Sequence, residues 1–483
     1  LPRKQIIAFR NSNDSHGYFH AGHFDRERSS SIQFIPKQPS NMIRLRNIYA
    51  GLFLLSSLSM SAQSFTLKEA VDYAVLHHVQ VKNSQVDLQN ASAKINEIRA
   101  IGLPQVNASI GYGNSLILQR VFIPANLFNP AAKPGELIAA KFGVTNSGST
   151  SVGVNQLLFD GTYLLGLKAS EVYKDLSVKN LTQSKQQVAE NVMKAYYGIL
   201  VNEKRLSILQ LNVGRLDTLL KETKALNAQG FVEKIDVQRL SVQANNLRTE
   251  LENIYRLQEL SYSLLKFQMG YPMETPIRLS ETLEQIELSN RLLDDQDLPF
   301  NYGNRIEYSI LKTQESLAEL DLKSIKAGYL PRFVAGANYG YNAGANSFGD
   351  LVSNSWFDNA TISFGIQIPI FDGYSKKYKA IQSANNLQKV RQSFDLLKSS
   401  IDLQRSQSII SLKNALESLK EQKANLDLAN EISRVTRVKY TQGVGSNLEV
   451  LNAETSIKES QANYFTALYN ALIAKVELAK SNG

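Results

Sequence analysis

Apolar positions along this chain follow two periods, and the switch between them occurs twice at matching landmarks. Helical spacing begins after Thr66, whose partner Glu69 three residues on completes a capping-box pattern. It continues through Val81, Val86, Leu88, Ala91, Ile95 and Ile98 and stops at Gly102-Leu103-Pro104, because a helix seldom runs through the residue before proline. Strict alternation follows, with Val106, Ala108, Ile110 and Tyr112 on one face and Asn107, Ser109 and Gly111 on the other. Downstream, residues 317–325 read as helix and end at Gly328-Tyr329-Leu330-Pro331. Phe333, Ala335, Ala337, Tyr339 and Tyr341 then alternate with Val334, Gly336, Asn338 and Gly340.

Each alternating segment is answered by a second one that runs into the same three residues. The first ends at Phe159-Asp160-Gly161 and the second at Phe371-Asp372-Gly373. The spacing predicts strands over about 104–115, 147–159, 331–343 and 358–371. Pro104 and Pro331 lie 227 residues apart and the two Phe-Asp-Gly triplets 212 apart. The difference of 15 falls in the loop joining the strands, so the first copy, with Pro124, Pro130 and Pro134 between about 116 and 146, has the longer loop. In the last strand Ala360, Ile362, Phe364, Ile366, Ile368 and Ile370 face one way, and Thr361, Ser363, Gly365, Gln367 and Pro369 the other. A strand of roughly ten residues, apolar on one face and polar on the other, fits a transmembrane β-barrel as well as a sandwich core. Four strands cannot close a barrel, since small closed barrels need about eight.

After each triplet the period returns to helical for some 60 residues. Over about 164–226, Val188, Val192, Ala195, Ile199, Leu206, Leu209, Val213, Leu216 and Leu220 form a heptad seam broken only by Asn202. Such a helix is on the order of 95 Å long. The counterpart, about 376–440, keeps Leu412, Ala415, Leu419, Leu426 and Ala429 on one seam. Both reach a glycine, at Gly230-Phe231 and Gly443-Val444, and the chain returns as helix to about 268 and 480. The pattern is a two-fold internal repeat, 63–275 and 276–483, joined through 270–300 with Pro272, Pro276 and Pro299.

Composition narrows the function classes. The net charge of +9 is concentrated before residue 63, where eight basic residues face three acidic ones. The remainder, 45 basic against 41 acidic residues, is interleaved as on solvated helix faces and excludes a nucleic-acid footprint. Cysteine is absent, so there is no disulfide framework and no thiolate nucleophile. Arg44 and Arg46 precede an apolar run from Ile48 to Leu55 and small residues up to Ala62. That order reads as a signal peptide over 42–62 cleaved after Ala62, with 1–41 as a non-native upstream extension. His16, His20 and His23 in that extension have metal-like spacing but read as an unstructured leader. His77 and His78, the remaining histidines, are neighbours on a helix surface pointing apart. With no catalytic triad order, metal cluster or phosphate-cradling loop, the chain reads as a non-enzyme without cofactor.

Taken together, the repeated Pro-strand unit, the repeated Phe-Asp-Gly turn and the glycine-tipped hairpins followed by Asp236-Val237 and Glu449-Val450 resemble the TolC-like outer-membrane efflux proteins. The resemblance covers about 65–479. It implies an α+β membrane protein in which three chains pool four strands each into a 12-stranded barrel, continued by a long α-helical coiled-coil barrel across the periplasm. It also implies a homotrimer bound to outer-membrane lipid, a periplasmic adaptor protein, and an inner-membrane pump of RND, ABC or MFS type. Two departures sit at element ends: the Asn-Pro early in each half of the family is His78-Val79 and Arg305-Ile306 here, and Leu157 stands where the second copy has Pro369.

By the same resemblance, Asp236 and Glu449 would ring the periplasmic mouth as a cation-attracting gate, and Gly230, Phe231, Gly443 and Val444 would dock the adaptor. Simpler readings stand beside these. Ser446 and Glu449 also form a Ser-x-x-Glu capping pattern, and glycine is the default at a helix terminus. The family's second acid and basic partner fall on Asn452 and Gly445, so the gate is looser or locked differently. Tyr112, Tyr339, Tyr341, Trp356 and Phe357 suit either an interfacial girdle or a core. The function implied is a passive exit duct gated at its periplasmic end. The rival is a periplasmic coiled-coil scaffold or adhesin stalk without a pore, which leaves the amphipathic strands unexplained.

Overall fold

A computed structural model describes residues 63–286 and 300–483; the upstream extension expected over 1–41, the signal peptide expected over 42–62 and part of the linker expected over 270–300 lie outside the described residues. The chain enters as a short strand, β1 (Gln63–Phe65), followed by helices α1 (Leu67–His77) and α2 (Val79–Ile101). Next come β2 (Gln105–Asn114), a small hairpin of β3 (Arg120–Pro124) and β4 (Leu137–Lys141), and β5 (Asn146–Phe159). The 68-residue helix α3 (Gly161–Ala228) and its return α4 (Lys234–Met269) complete the first half. After β6 (Ile277–Leu279) the same order recurs: α5 (Ile306–Ala327), β7 (Arg332–Ala345), a short α6 (Phe348–Ser353), β8 (Phe357–Gln367), the 67-residue α7 (Ser375–Thr441) and α8 (Asn447–Asn482). The structure is mostly helical, and among the described residues no helix is apolar enough to cross a membrane.

The four long strands form one antiparallel sheet in the order β2-β5-β7-β8. Its register aligns their alternation. Ile110 lies opposite Thr150, Val152 opposite Tyr339, and Ala337 opposite Ile362, so the apolar sets of all four strands share one face. That face is uncovered over most of its length, with Ile110 88 % and Phe364 78 % exposed. The other face carries the serine, asparagine and glycine positions. A bulge at Leu158 shifts the parity of β5 by one residue and turns Phe159 to the apolar face, where its ring meets Phe333 at 6.0 Å. Tyr112, Tyr339 and Tyr341 lie on this face at the end away from the helices, and Trp356 stacks over Gly148 there. Phe357 does not join them: it pairs with Asn342 and belongs to the polar face.

Three expectations are corrected. The strand expected over 358–371 ends at Gln367, opposite Arg332 where β7 begins; beyond it there is no strand to pair with, and Pro369 has no N–H to offer. The helix expected to run unbroken from Thr66 to Ile101 is interrupted at His78, whose ψ of 134° is extended. There Gly270, left-handed at φ 66°, packs so closely that a Cβ would stand 3.0 Å from the His78 Cα. His78 recaps the chain, its Nδ1 accepting from the Gln80 N–H at 3.2 Å. Finally, the two Phe-Asp-Gly triplets are built differently. Asp160 is a plain N-cap accepting from the N–H groups of Thr162 and Tyr163, and α3 starts at once. A Cβ on Gly161 would meet Leu330 Cδ1 at 3.0 Å, so glycine allows the close crossing. In the second copy Gly373 and Tyr374 are both left-handed, at φ 63° and 66°, before α7 begins, and the Asp372 carboxylate accepts from the Lys376 N–H.

The main core lies where the helices bundle. Val188, Val192, Tyr196, Ile199 and Leu200 of α3 pack with Leu265 and Met269 of α4 and with Phe465, Leu472 and Val476 of α8. Phe65 and Ile277 close one side of it through β1 and β6, a parallel pair. Asn202, the break in the heptad seam, donates to Ser261 Oγ at 3.0 Å, a partnered polar residue in the α3–α4 contact.

Candidate gate and docking tips

Both long helices end in the same hydrogen-bond pattern. At the first tip Phe231 N–H donates to Leu226 O and Gly230 N–H to Asn227 O; at the second, Val444 N–H donates to Lys439 O and Gly443 N–H to Tyr440 O. These are two Schellman motifs, which require a left-handed residue at the glycine position. Gly230 and Gly443 supply it at φ 79° and 76°. Each motif leaves its following apolar residue in the open, with Phe231 75 % and Val444 78 % exposed.

The return helices begin a few residues later, which puts Asp236 and Glu449 in their first turns. Acids there are favoured by the helix dipole. The two carboxylates are otherwise treated differently. Glu449 N–H donates to the Ser446 hydroxyl at 3.2 Å, one arm of the capping pattern, and the side chain is exposed. Asp236 is half-buried and reaches across to the second hairpin: Asn447 Nδ2 donates to its Oδ1 at 3.1 Å and to its backbone oxygen at 3.2 Å. Arg239 approaches the same oxygen at 3.9 Å. Asn447 is 5 % exposed, and its own Oδ1 is buried without a hydrogen-bond partner. The structure thus joins the two hairpins through Asp236 and leaves Glu449 facing solvent.

Behind this junction lies a polar ladder that the sequence reading missed. Ser433 Oγ donates to Glu454 Oε1 at 2.9 Å, and Arg437 Nη2 stands 3.7 Å from the same oxygen. Thr223 and Tyr440 hydroxyls meet at 3.3 Å between the hairpins. Deeper in, Asn212 Nδ2 donates to Gln461 Oε1 at 2.6 Å and Arg215 donates to Asn212. The signal was present: Glu454 and Gln461 occupy seam positions among Val450, Ile457 and Leu468, where an apolar residue is the norm. Of the two family positions noted above, Asn452 is exposed and Gly445 packs on the end of α7, where a Cβ would meet Tyr440 N at 3.0 Å.

A second buried polar cluster lies in the main bundle. Glu190 takes Lys480 at 2.7 Å and Lys194 at 2.9 Å. Burial pushes the Glu190 carboxyl up, but the two lysine bonds outweigh it and hold the group below its usual range. Among the described residues no group of histidines and carboxylates could hold a metal.

Comparison with known proteins agrees with this architecture. The outer membrane efflux protein family matches over residues 71–265 and 312–483. The outer membrane protein TolC of Escherichia coli is 22 % identical over 467 residues, covering 92 % of this chain and 87 % of the relative. TolC of Salmonella enteritidis is 21 % identical over 450 residues, covering 92 % and 86 %. Among solved structures, the outer membrane protein VceC of Vibrio cholerae superimposes with a TM-score of 0.66 at 14 % identity, covering 86 % of this chain and 96 % of that one. The open state of the Neisseria gonorrhoeae MtrE outer membrane channel gives 0.64 at 15 %, covering 86 % and 88 %. With its long hairpins, its one-sided sheet and a family match across both halves, the chain belongs to the outer membrane efflux protein family, located in the outer membrane of a Gram-negative cell with a large periplasmic part.

Proposed function

We propose that this chain is one third of a trimeric exit duct, gated at its hairpin end and driven by an inner-membrane pump through a periplasmic adaptor. The observation that carries the reading is the sheet. Its register collects one apolar and one polar face over strands of 10 to 14 residues, and β2 and β8 each have one unpaired edge. In a bilayer every backbone N–H and C=O needs a partner, so an open four-stranded sheet is not viable there and a closed one is. Joining β8 of one copy to β2 of the next through three copies closes twelve strands, with the apolar face to lipid and the polar face to the bore. The transmembrane strand needs about 9–11 residues, a length that β2 and β8 have.

The same closure brings three copies of Asp236 and Glu449 around one axis. Six carboxylates near that axis repel and attract cations; the Asn447 bonds to Asp236 oppose the separation of the hairpins in each chain. Phe231 and Val444, exposed beside glycines, offer the adaptor a close helix-tip contact. In this mechanism adaptor contact splays the hairpins and breaks the Asn447 junction. The purified protein in a planar bilayer should give cation-preferring conductance that grows when Asp236 or Glu449 becomes alanine. A detergent-free soluble monomer without conductance would return the reading to a scaffold or stalk.

A further inference from the structure

We propose that α6 is a membrane-interface helix. The connection between β7 and β8 folds back onto the outside of the barrel and lies in the outer headgroup layer, where it fixes the depth at which the duct sits. The proposal rests on the barrel reading above, because it takes the apolar face of the sheet as the lipid-facing one. It is on this face that α6 lies. Leu351 is buried against Ala343 and Ala345, which continue the face of Tyr339 and Tyr341 along β7. Phe348 meets the ring of Tyr112 on β2 edge-on at 5.6 Å, and Trp356, just past the helix, covers Gly148 of β5. Gly148 stands opposite both Tyr112 and Ala343, so the helix and its exit reach across three strands on one side of the sheet.

The strands beneath show that the apolar band ends at this level. Asp358 lies opposite Tyr341, and the Tyr339 and Tyr341 hydroxyls bond to each other at 2.9 Å on the same face. A step further along, Asn146 is buried opposite Ala345, and its Oδ1 accepts from the Tyr112 hydroxyl at 2.8 Å and from Asn114 Nδ2 at 2.7 Å. Charge on a lipid-facing strand is cheap only near the interfaces, and tyrosine and tryptophan gather there. The helix itself is built for such a boundary. Ser347 caps it, its hydroxyl accepting from the Asp350 N–H at 3.1 Å. At about 100° per residue, Phe348 and Val352 fall on one flank and Asp350 on the other, with Leu351 between them against the sheet. Phe348 and Val352 are 61 % and 68 % exposed, and Asp350 is exposed as well. An amphipathic helix of this kind lies in the interface plane, its apolar side in the acyl boundary and its polar side toward water. Lipid is the occupant that fits the apolar flank. Phe348 joins that flank to Tyr112, and Tyr112 shares a face with Ile110 and Val106, the surface the barrel turns to the bilayer.

The test uses the protein reconstituted in phosphatidylcholine vesicles. Trp356 is the only tryptophan of the chain and cysteine is absent, so native emission and single nitroxide labels each report from one place. Bromines near the headgroup end of the acyl chains should quench Trp356 strongly, bromines near the chain ends weakly, and aqueous iodide little. A nitroxide on Val352→Cys should meet both dissolved oxygen and an aqueous nickel chelate, as at an interface. One on Ile362→Cys, deeper on the same side, should meet oxygen alone. Iodide quenching of Trp356 without bromine quenching would overturn the proposal by placing the helix in water beyond the membrane. Quenching by neither would overturn it by showing the helix covered by a second copy. Failure of the barrel reading looks different, because the Ile362→Cys label would then meet the nickel chelate freely.

Discussion

The Asp236–Asn447 junction gives a sharp test because one isosteric change reverses its sign. Asn447→Asp puts an oxygen where Nδ2 now donates at 3.1 Å to the Asp236 carboxylate. The bond lost is one to a charged acceptor, worth about 1.5–3 kcal/mol. In its place come two like charges, which at about 4 Å and an effective dielectric of about 20 repel by about 4 kcal/mol. Asp236 is half-buried and can swing toward water, so about 4 kcal/mol is the working figure for the whole change. If the junction exists only while the hairpins lie together, the closed-to-open ratio falls roughly a thousandfold per chain. Asn447→Ala is milder. It deletes the bond but also the Asn447 Oδ1 that is buried without a partner, and the balance is about 1 kcal/mol, or roughly fivefold. The Asp236→Asn/Asn447→Asp pair exchanges amide and carboxylate and should restore closure in part, because the side-chain bond re-forms in reverse while the Asp236 backbone oxygen loses its donor. Single-channel open probability in a planar bilayer reads the series. Equal open probabilities for Asn447→Ala and Asn447→Asp, or a swapped pair as open as Asn447→Asp alone, would refute the reasoning.

Three further outcomes follow from the geometry. Gly230→Ala and Gly443→Ala should each destabilise their hairpin by about 1 kcal/mol, because a Cβ in the left-handed region costs roughly that much and nothing lies within 4 Å to add to it; denaturant titration measures it, and asparagine should recover part of it. His78 is kept below the ordinary imidazole range by burial. Its neutral form is therefore favoured in the folded chain, and its contribution is full above about pH 6.5 and lost as pH falls through the lower folded value. Thermal melts taken down to about pH 5 should show this loss, and His78→Asn, which keeps a capping oxygen, should flatten it. On the sheet, Ile362→Lys should reduce outer-membrane insertion, since a lipid-facing lysine costs about 2–4 kcal/mol near the midplane. Thr361→Lys, one residue away on the other face, should insert normally, and equal loss in both would remove the lipid-facing assignment.

Much of the architecture could be read from the chain because its signals are long. The α3 heptad seam and the strand alternation each repeat over many residues, and the tip glycines sit where the helical period ends. What was missed is short or tertiary. β1 and β6 have three residues each, too few for a period to show. The break at His78 comes from Gly270, which is remote in sequence and packs against that backbone, while the local apolar spacing continues through it. Ile368 and Ile370 extend the alternation of β8, but a strand also needs a neighbour, and β7 begins too late to pair with them. Asp236 and Glu449 look equivalent by position; only the packing of the two hairpins shows that Asn447 reaches one of them. Glu454 and Gln461 were legible in principle, as polar residues on an apolar seam.

The small parallel pair of β1 and β6 has a consequence for how the chain is made. Gln63 lies beside Ile277 and Phe65 beside Leu279, so the strand that opens the described chain waits for a partner 214 residues later. Phe65 O also accepts from the Tyr196 hydroxyl, and the core around it takes Phe465 and Leu472 from the far end. Loop-closure entropy must be met before such distant contacts repay it. The two halves, alike as they look, are therefore not separable modules. A gene divided after residue 275 would yield a first fragment with Phe65 unpaired and α3 lacking the α8 side of its core. Coexpression of both fragments is the arrangement under which that seam could close.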